Sequence, residues 1–192
     1  MPQENLPGVD IKLLSGPRQV IIITGSVGCG KTSLVEKAAH LLKTEGVSVA
    51  GLIAPRLGEA EEQRGYIVHD LRTGKERVLA RTTPFNTPLR QGSFYFDEES
   101  FYWAEELVSR SLNSQVLILD EVGRLELRGN GYCRLMQTTL RHYRGCFIFT
   151  ARREILKQLS RFFKIQRVEV IDVEIEENSL LRLKELVKAV LN

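Results

Sequence analysis

The chain has 192 residues, of which 43% are hydrophobic and 27% charged, with a formal net charge of +3. That is enough chain for one sizeable domain with a full core, and the Lys and Arg residues are too scattered to argue for nucleic acid. Three cysteines (Cys29, Cys133, Cys146) without a CxxC pair argue against a disulfide framework or zinc site and for a reducing compartment.

The first residues, MPQENLPGVD, lack the basic and apolar stretches of a signal peptide. No apolar run reaches the roughly 18 residues of a membrane span, so the expected location is the cytoplasm. Residues 1–18, rich in Pro, Gly and Ser, read as an N-terminal arm, and residues 19–192 as a single domain. Residues 20–24 are a continuous β-branched run, the pattern of a strand buried on both faces. A glycine loop follows, then a helix over 32–44 with apolar residues at helical spacing, ended by Gly46. Residues 47–54 form a second strand. The segment 55–96 reads as inserted hairpins and loops, with strands at 66–71 and 76–80 around the turn 72–75. Asp97 caps a helix running to about residue 112, with Glu98 and Glu99 in its positive first turn. Strands at 116–119, 146–150 and 167–173 alternate with helices at 132–142, 153–162 and 179–191. This alternation predicts a parallel sheet covered by helices on both faces.

The loop GSVGCGKT fits G-x-x-x-x-G-K-[ST] without a mismatch. Its nucleotide-binding residues are Gly25, Ser26, Val27, Gly28, Cys29, Gly30, Lys31, Thr32 and Ser33. Backbone N–H groups converge on phosphate oxygens there, and a Cβ at Gly25, Gly28 or Gly30 would obstruct the turn or the ligand. The following helix points its positive end at the same phosphates. Lys31 is placed for the β- and γ-phosphates, and the Thr32 hydroxyl for Mg²⁺.

A second buried strand ends in VLILDEVG. Asp120 is suited to hold Mg²⁺ through its waters, and Glu121 to orient and deprotonate an attacking water. A kinase must exclude water, so a Glu beside the metal acid favours a hydrolase.

The segments GLIAPRL, GYIVHDLRTGKERVLA, GSFYFDEESF and LILDEVGRLEL, taken with the glycine loop, resemble the nucleoside-triphosphatases of the thermophilic and cancer-related NTPase group. DEVGRLEL, similar to that family's D-E-I-G-K-M-E pattern, carries the resemblance most specifically. The resemblance implies an α/β P-loop NTPase fold, RecA-like or kinase-like, with strand order 5-1-4-3-2. It also implies slow, Mg²⁺-dependent hydrolysis of ATP, GTP and other nucleoside triphosphates. Val27 and Cys29 stand where the family often has Pro and Val, and Arg124 where it often has Lys. The arm before Gln19 is longer than the family needs.

Arg124, just past the acidic pair, is the first candidate for a cation on the transferring phosphate, with Arg152, Arg153 and Arg161 behind it. Glu126 is either part of the same site or a loop charge, and Thr150 either a γ-phosphate sensor or a polar strand end. Cys29 beside Lys31 favours a thiolate, yet a small side chain that fits the loop explains it as well. No role falls to His40, His69 or His142. The aromatic stretch Phe94, Tyr95, Phe96, Phe101, Tyr102 and Trp103 supplies core residues or a stacking surface.

Three functions remain open: an NTPase of low base selectivity acting on ATP, GTP, CTP and UTP; a nucleotide or small-molecule kinase with its acceptor site in 55–96; and an NTP-controlled binding module. The expected state is a monomer without membrane contact.

Overall fold

The computed structural model describes residues 16–58, 64–166 and 168–191. The first fifteen residues of the arm and Arg167 at the start of the last expected strand lie outside them. The chain order is β1 (Gln19–Gly25), α1 (Lys31–Thr44), β2 (Val49–Ile53), β3 (Arg56–Leu57), β4 (Gly65–Asp70), β5 (Glu76–Arg81), β6 (Arg90–Gln91), β7 (Phe94–Phe96) and α2 (Glu98–Ser109). It continues with β8 (Val116–Val122), α3 (Cys133–His142), β9 (Cys146–Arg152), α4 (Leu156–Phe162), β10 (Val168–Asp172) and α5 (Ser179–Leu191).

The strands among the described residues form one sheet in the order β10-β1-β9-β8-β2-β4-β5-β7-β6, with β3 paired to β4. Numbered among themselves in chain order, the parallel strands β1, β2, β8, β9 and β10 follow 5-1-4-3-2. The sheet does not end there. The segment expected as inserted hairpins adds antiparallel strands to the β2 edge, through Leu52↔Asp70 and Ile53↔His69. The short strands β3, β6 and β7 have only two or three residues, too few to show a period in sequence.

Alternation along the buried strands sorts side chains onto two faces. Ile21, Ile23, Ile118 and Ile148 pack with α1 and α5 residues such as Val35, Leu42, Leu183 and Val187. Val20, Ile22, Leu117, Phe147 and Phe149 pack on the other face against α2, α3 and α4, meeting Phe101, Met136 and Leu159. Both faces of β1, β8 and β9 are therefore dry, which explains their unbroken apolar runs.

Helix ends differ from expectation in two places. The α2 helix stops at Ser109, and the Asp97 carboxylate accepts from the Ser100 hydroxyl (2.7 Å), while only the Asp97 carbonyl takes a backbone N–H, that of Ser100 (3.2 Å). The segment 153–162 opens with a single 3₁₀ turn, Arg153–Ile155, before α4. Where the arm joins the sheet, Arg18 donates to the Gly145 carbonyl (3.1 Å). No helix among the described residues is long and apolar enough to cross a membrane.

Candidate active site

The glycine loop leaves β1 at the carboxyl edge of the parallel strands and enters α1. Gly25, Gly28 and Gly30 all have positive φ (147°, 80° and 98°). At Gly25 the space is closed as well, since a Cβ would lie 2.5 Å from Cys29 Sγ. Cys29 is thus packed inside the loop, as the small-side-chain explanation requires. Gly30 caps α1 in a left-handed conformation, and its carbonyl accepts the first helical bond from Leu34 N (2.9 Å). The N–H groups of a helix's first turn have no intrahelical partner, which suits such an end to an anion.

Lys31 is buried, and its ammonium donates to the Ser26 carbonyl (2.7 Å). Ser26 is held in turn from the end of the neighbouring strand β10. Its N–H and hydroxyl both donate to Glu174 (2.8 and 2.7 Å), and Arg153 bridges Glu174 (2.8 Å) and Asp172 (2.6 and 2.7 Å). The Ser26 hydroxyl and N–H hold the Glu174 carboxyl below the usual carboxylate range. Sequence reasoning missed Glu174, because a Glu after the last strand carries no motif. Arg153, one of the cations considered for the phosphate, is committed to this clamp.

A local irregularity brings Glu121 to the cleft and leaves its neighbour Asp120 buried behind Thr32. The β8 strand does not end at Leu119 as expected; it runs on to Val122, and its register with β9 slips between Leu119 and Val122. Glu121 sits in the bulge with φ 59°, a left-handed conformation. Strand neighbours otherwise point to opposite faces, and a bulge re-aims them. Asp120, 1% exposed, accepts from the Thr32 hydroxyl (2.8 Å), Ala54 N (3.0 Å) and the Thr150 hydroxyl. The Thr150 hydroxyl also accepts from Glu121 N (2.9 Å). Thr150 is thus the hinge pin of the bulge. Burial, with the neighbouring Asp120 charge second, raises the Glu121 carboxyl above its ordinary range, while Lys31, Arg152 and Arg56 oppose the shift.

The cleft over the loop is lined by Val27, Gly28, Gly30, Lys31, Thr32, Arg56, Glu121 and Arg152, among others. Gly25, Ser26, Cys29 and Asp120 are not among its lining residues, and Ser33 is an exposed residue of α1. Arg124 is not in this cleft. It pairs with Glu154 (3.3 Å) on the surface. Arg161, exposed on α4, is also absent from it. Arg152 is present because β9 pairs it with Gly25, at the start of the loop. Arg56 comes from β3, a strand too short to be foreseen. Glu126 is buried outside this cleft, with both oxygens taken by Gly123 N (2.6 Å) and Tyr132 N (2.8 Å). It staples the turn after Glu121, and burial raises its carboxyl.

An NTPase family profile matches residues 20–186. The chain belongs to the NTPase family. Among its relatives in that family, nucleoside-triphosphatase THEP1 of Methanopyrus kandleri is 31% identical over 113 residues, covering 58% of this chain and 62% of the relative. THEP1 of Thermotoga maritima is 35% identical, over 56% of this chain and 59% of the relative. THEP1 of Archaeoglobus fulgidus is 28% identical, over 78% and 88%. The chain spans about three fifths of the length of the first two relatives. In structure it is similar to THEP1 from Aquifex aeolicus (TM-score 0.65, 21% identity, 88% of this chain and 99% of the other). It is likewise similar to a human cancer-related nucleoside triphosphatase (TM-score 0.64, 22% identity, 91% and 97%). These two likenesses concern the NTPase fold.

The placement of the arginines gives an expected result. If this cleft releases phosphate from ATP, Arg152→Ala should lower that rate on the order of 10²-fold, the usual cost of removing one preorganised donor to the transition state. Arg124→Ala should change it by less than about threefold, because an exposed ion pair contributes little. Initial rates at saturating nucleotide check both, and a drop in Arg124→Ala as deep as that in Arg152→Ala would return the phosphate cation to Arg124.

Proposed function

We propose that the protein hydrolyses nucleoside triphosphates to diphosphate and phosphate, with Mg²⁺ and little regard for the base. The observation that carries this reading is the bulge that turns Glu121 into the cleft beside Lys31. In it, Lys31 and the loop N–H groups hold the β- and γ-phosphates. Glu121 takes a proton from a water, whose oxygen bonds to the γ-phosphorus. The bond from that phosphorus to the bridging oxygen breaks, and the diphosphate leaves with the electron pair. Arg152 and Arg56 offset the charge that develops.

Mg²⁺ fits the donor set. The Thr32 hydroxyl and the Asp120 carboxylate touch one another at the loop's exit, and a hydroxyl plus one carboxylate is the protein's share of such a site. They would hold the ion, which supplies positive charge to the phosphate oxygens. One chain supplies all the residues in this reading, which supports a monomer as the active unit. The free cysteines Cys29, Cys133 and Cys146 suit a reducing, cytoplasmic setting.

The test is phosphate release by the pure protein with Mg²⁺ and each of ATP, GTP, CTP and UTP, without an acceptor. Rates within about tenfold of one another are expected, as stacking alone discriminates weakly. A preference above about a thousandfold for one base would require a hydrogen-bonded base reader and contradict low selectivity.

A further inference from the structure

The cleft over the glycine loop has a neighbour. A second cavity, about 270 Å³, adjoins it and shares Ala54, Tyr66, Glu121 and Arg152 with it. Its walls are aromatic. Tyr66 meets Phe94 edge-on at 5.3 Å between centroids, Phe96 stacks on Phe101 at 6.1 Å, and Phe101 meets Tyr132 edge-on at 4.9 Å. Gln91 lines the same cavity, and its amide oxygen is buried without a hydrogen-bond partner. A simple packing void would be lined by apolar groups alone. This one sets two glutamates (Glu121, Glu126), two arginines (Arg124, Arg152) and an unpaired amide oxygen among flat rings.

We propose that this cavity binds a nucleoside, and that the nucleoside's sugar hydroxyl accepts the γ-phosphoryl group in place of water. The aromatic walls offer stacking surface to a base. The Gln91 oxygen offers an acceptor to a base N–H, relieving a buried unpaired group. Glu121, at the junction of the two cavities, selects the kind of acceptor. A hydroxyl must lose a proton to attack and gains from a carboxylate, whereas an acceptor phosphate is already anionic and is repelled by it. The step balances: the hydroxyl oxygen bonds to the γ-phosphorus, and its proton passes to Glu121 and then to solvent. The bond to the bridging oxygen breaks, and nucleoside diphosphate departs with the electron pair. The products are a nucleoside monophosphate, a diphosphate and a proton. The idea rests on the roles given to the loop and Glu121 above. Hydrolysis is then what the same cleft does when the second cavity holds only water.

The test incubates the whole protein with Mg²⁺ and ATP and, in separate reactions, adenosine, guanosine, cytidine, uridine or one of their monophosphates, and resolves the products chromatographically. At least one nucleoside should become a monophosphate, and free phosphate should fall as that nucleoside's concentration rises. Phe94→Ala should raise the KM for the nucleoside by about tenfold or more, the effect of losing one stacking ring. Gln91→Leu should raise it too without touching a ring. The melting temperature of each variant shows that it is folded. Absence of monophosphate from all four nucleosides, while phosphate release from ATP continues, would overturn the proposal. So would phosphorylation of nucleoside monophosphates but not of nucleosides. Phosphate release without any nucleoside is scored separately, so a failure of hydrolysis cannot pass for a failure of the acceptor cavity.

Discussion

Glu121→Gln should bind Mg²⁺·ATP nearly as the parent does and hydrolyse it on the order of 10² to 10⁴ times more slowly. Gln keeps the shape of the side chain and suits the same left-handed backbone, but it cannot take a proton from water. Binding should survive because the phosphate contacts belong to the loop and Lys31. Two further readouts follow from the burial that raises this carboxyl. The rate requires the carboxylate, so it should fall as pH drops through a value above the ordinary carboxylate range, and that acid limb should vanish in Glu121→Gln. Its folded-state pKa lies above the unfolded one, so the ionised form costs stability, and this cost grows as pH rises past the unfolded value. At neutral pH, Glu121→Gln should therefore melt higher than the parent. A variant that releases phosphate at nearly the parental rate would remove Glu121 as the base, and one that melts lower would contradict a costly burial of its charge.

Lys31→Ala should weaken triphosphate binding by about tenfold to a hundredfold, the range for losing a hydrogen bond to a charged group. Turnover should be abolished, since Lys31 is the only lysine lining the cleft among the described residues. The ammonium is not a free surface charge. It is buried and already held by the Ser26 carbonyl, and Glu174, itself held by Arg153, fixes Ser26 from the end of the neighbouring strand β10. Equilibrium titration with a fluorescent ATP analogue measures the loss. Unchanged affinity together with unchanged phosphate release would refute the placement of the triphosphate on this loop.

The parts of the site that were legible in sequence share one property: their residues are close in the chain. Gly25 to Thr32 declare themselves because eight consecutive positions meet one physical demand, and Asp120 because it ends a buried run. The buried strands were legible because each is dry on both faces, and their alternation with helices predicted a parallel sheet, whereas the strand order was implied only by the family resemblance. What could not be read was long-range pairing. Arg56 and Arg152 enter the cleft only because β3 and β9 lie where they do, and Glu174 meets Ser26 across 148 positions. Arg124 was favoured for its nearness in sequence to Asp120, but the chain turns after the bulge and carries it to Glu154. The bulge was hidden too, since nothing in Leu119-Asp120-Glu121-Val122 announces a left-handed Glu. It turns Glu121 into the cleft and leaves Asp120 buried against Thr32, without ending the strand.

Attack of water on the γ-phosphorus can be tested directly by running the reaction in water enriched in heavy oxygen. With Mg²⁺ and ATP and no acceptor, the released phosphate should carry solvent oxygen and the ADP none. Heavy oxygen found in the ADP, or in neither product, would contradict deprotonation of an attacking water by Glu121 in this cleft.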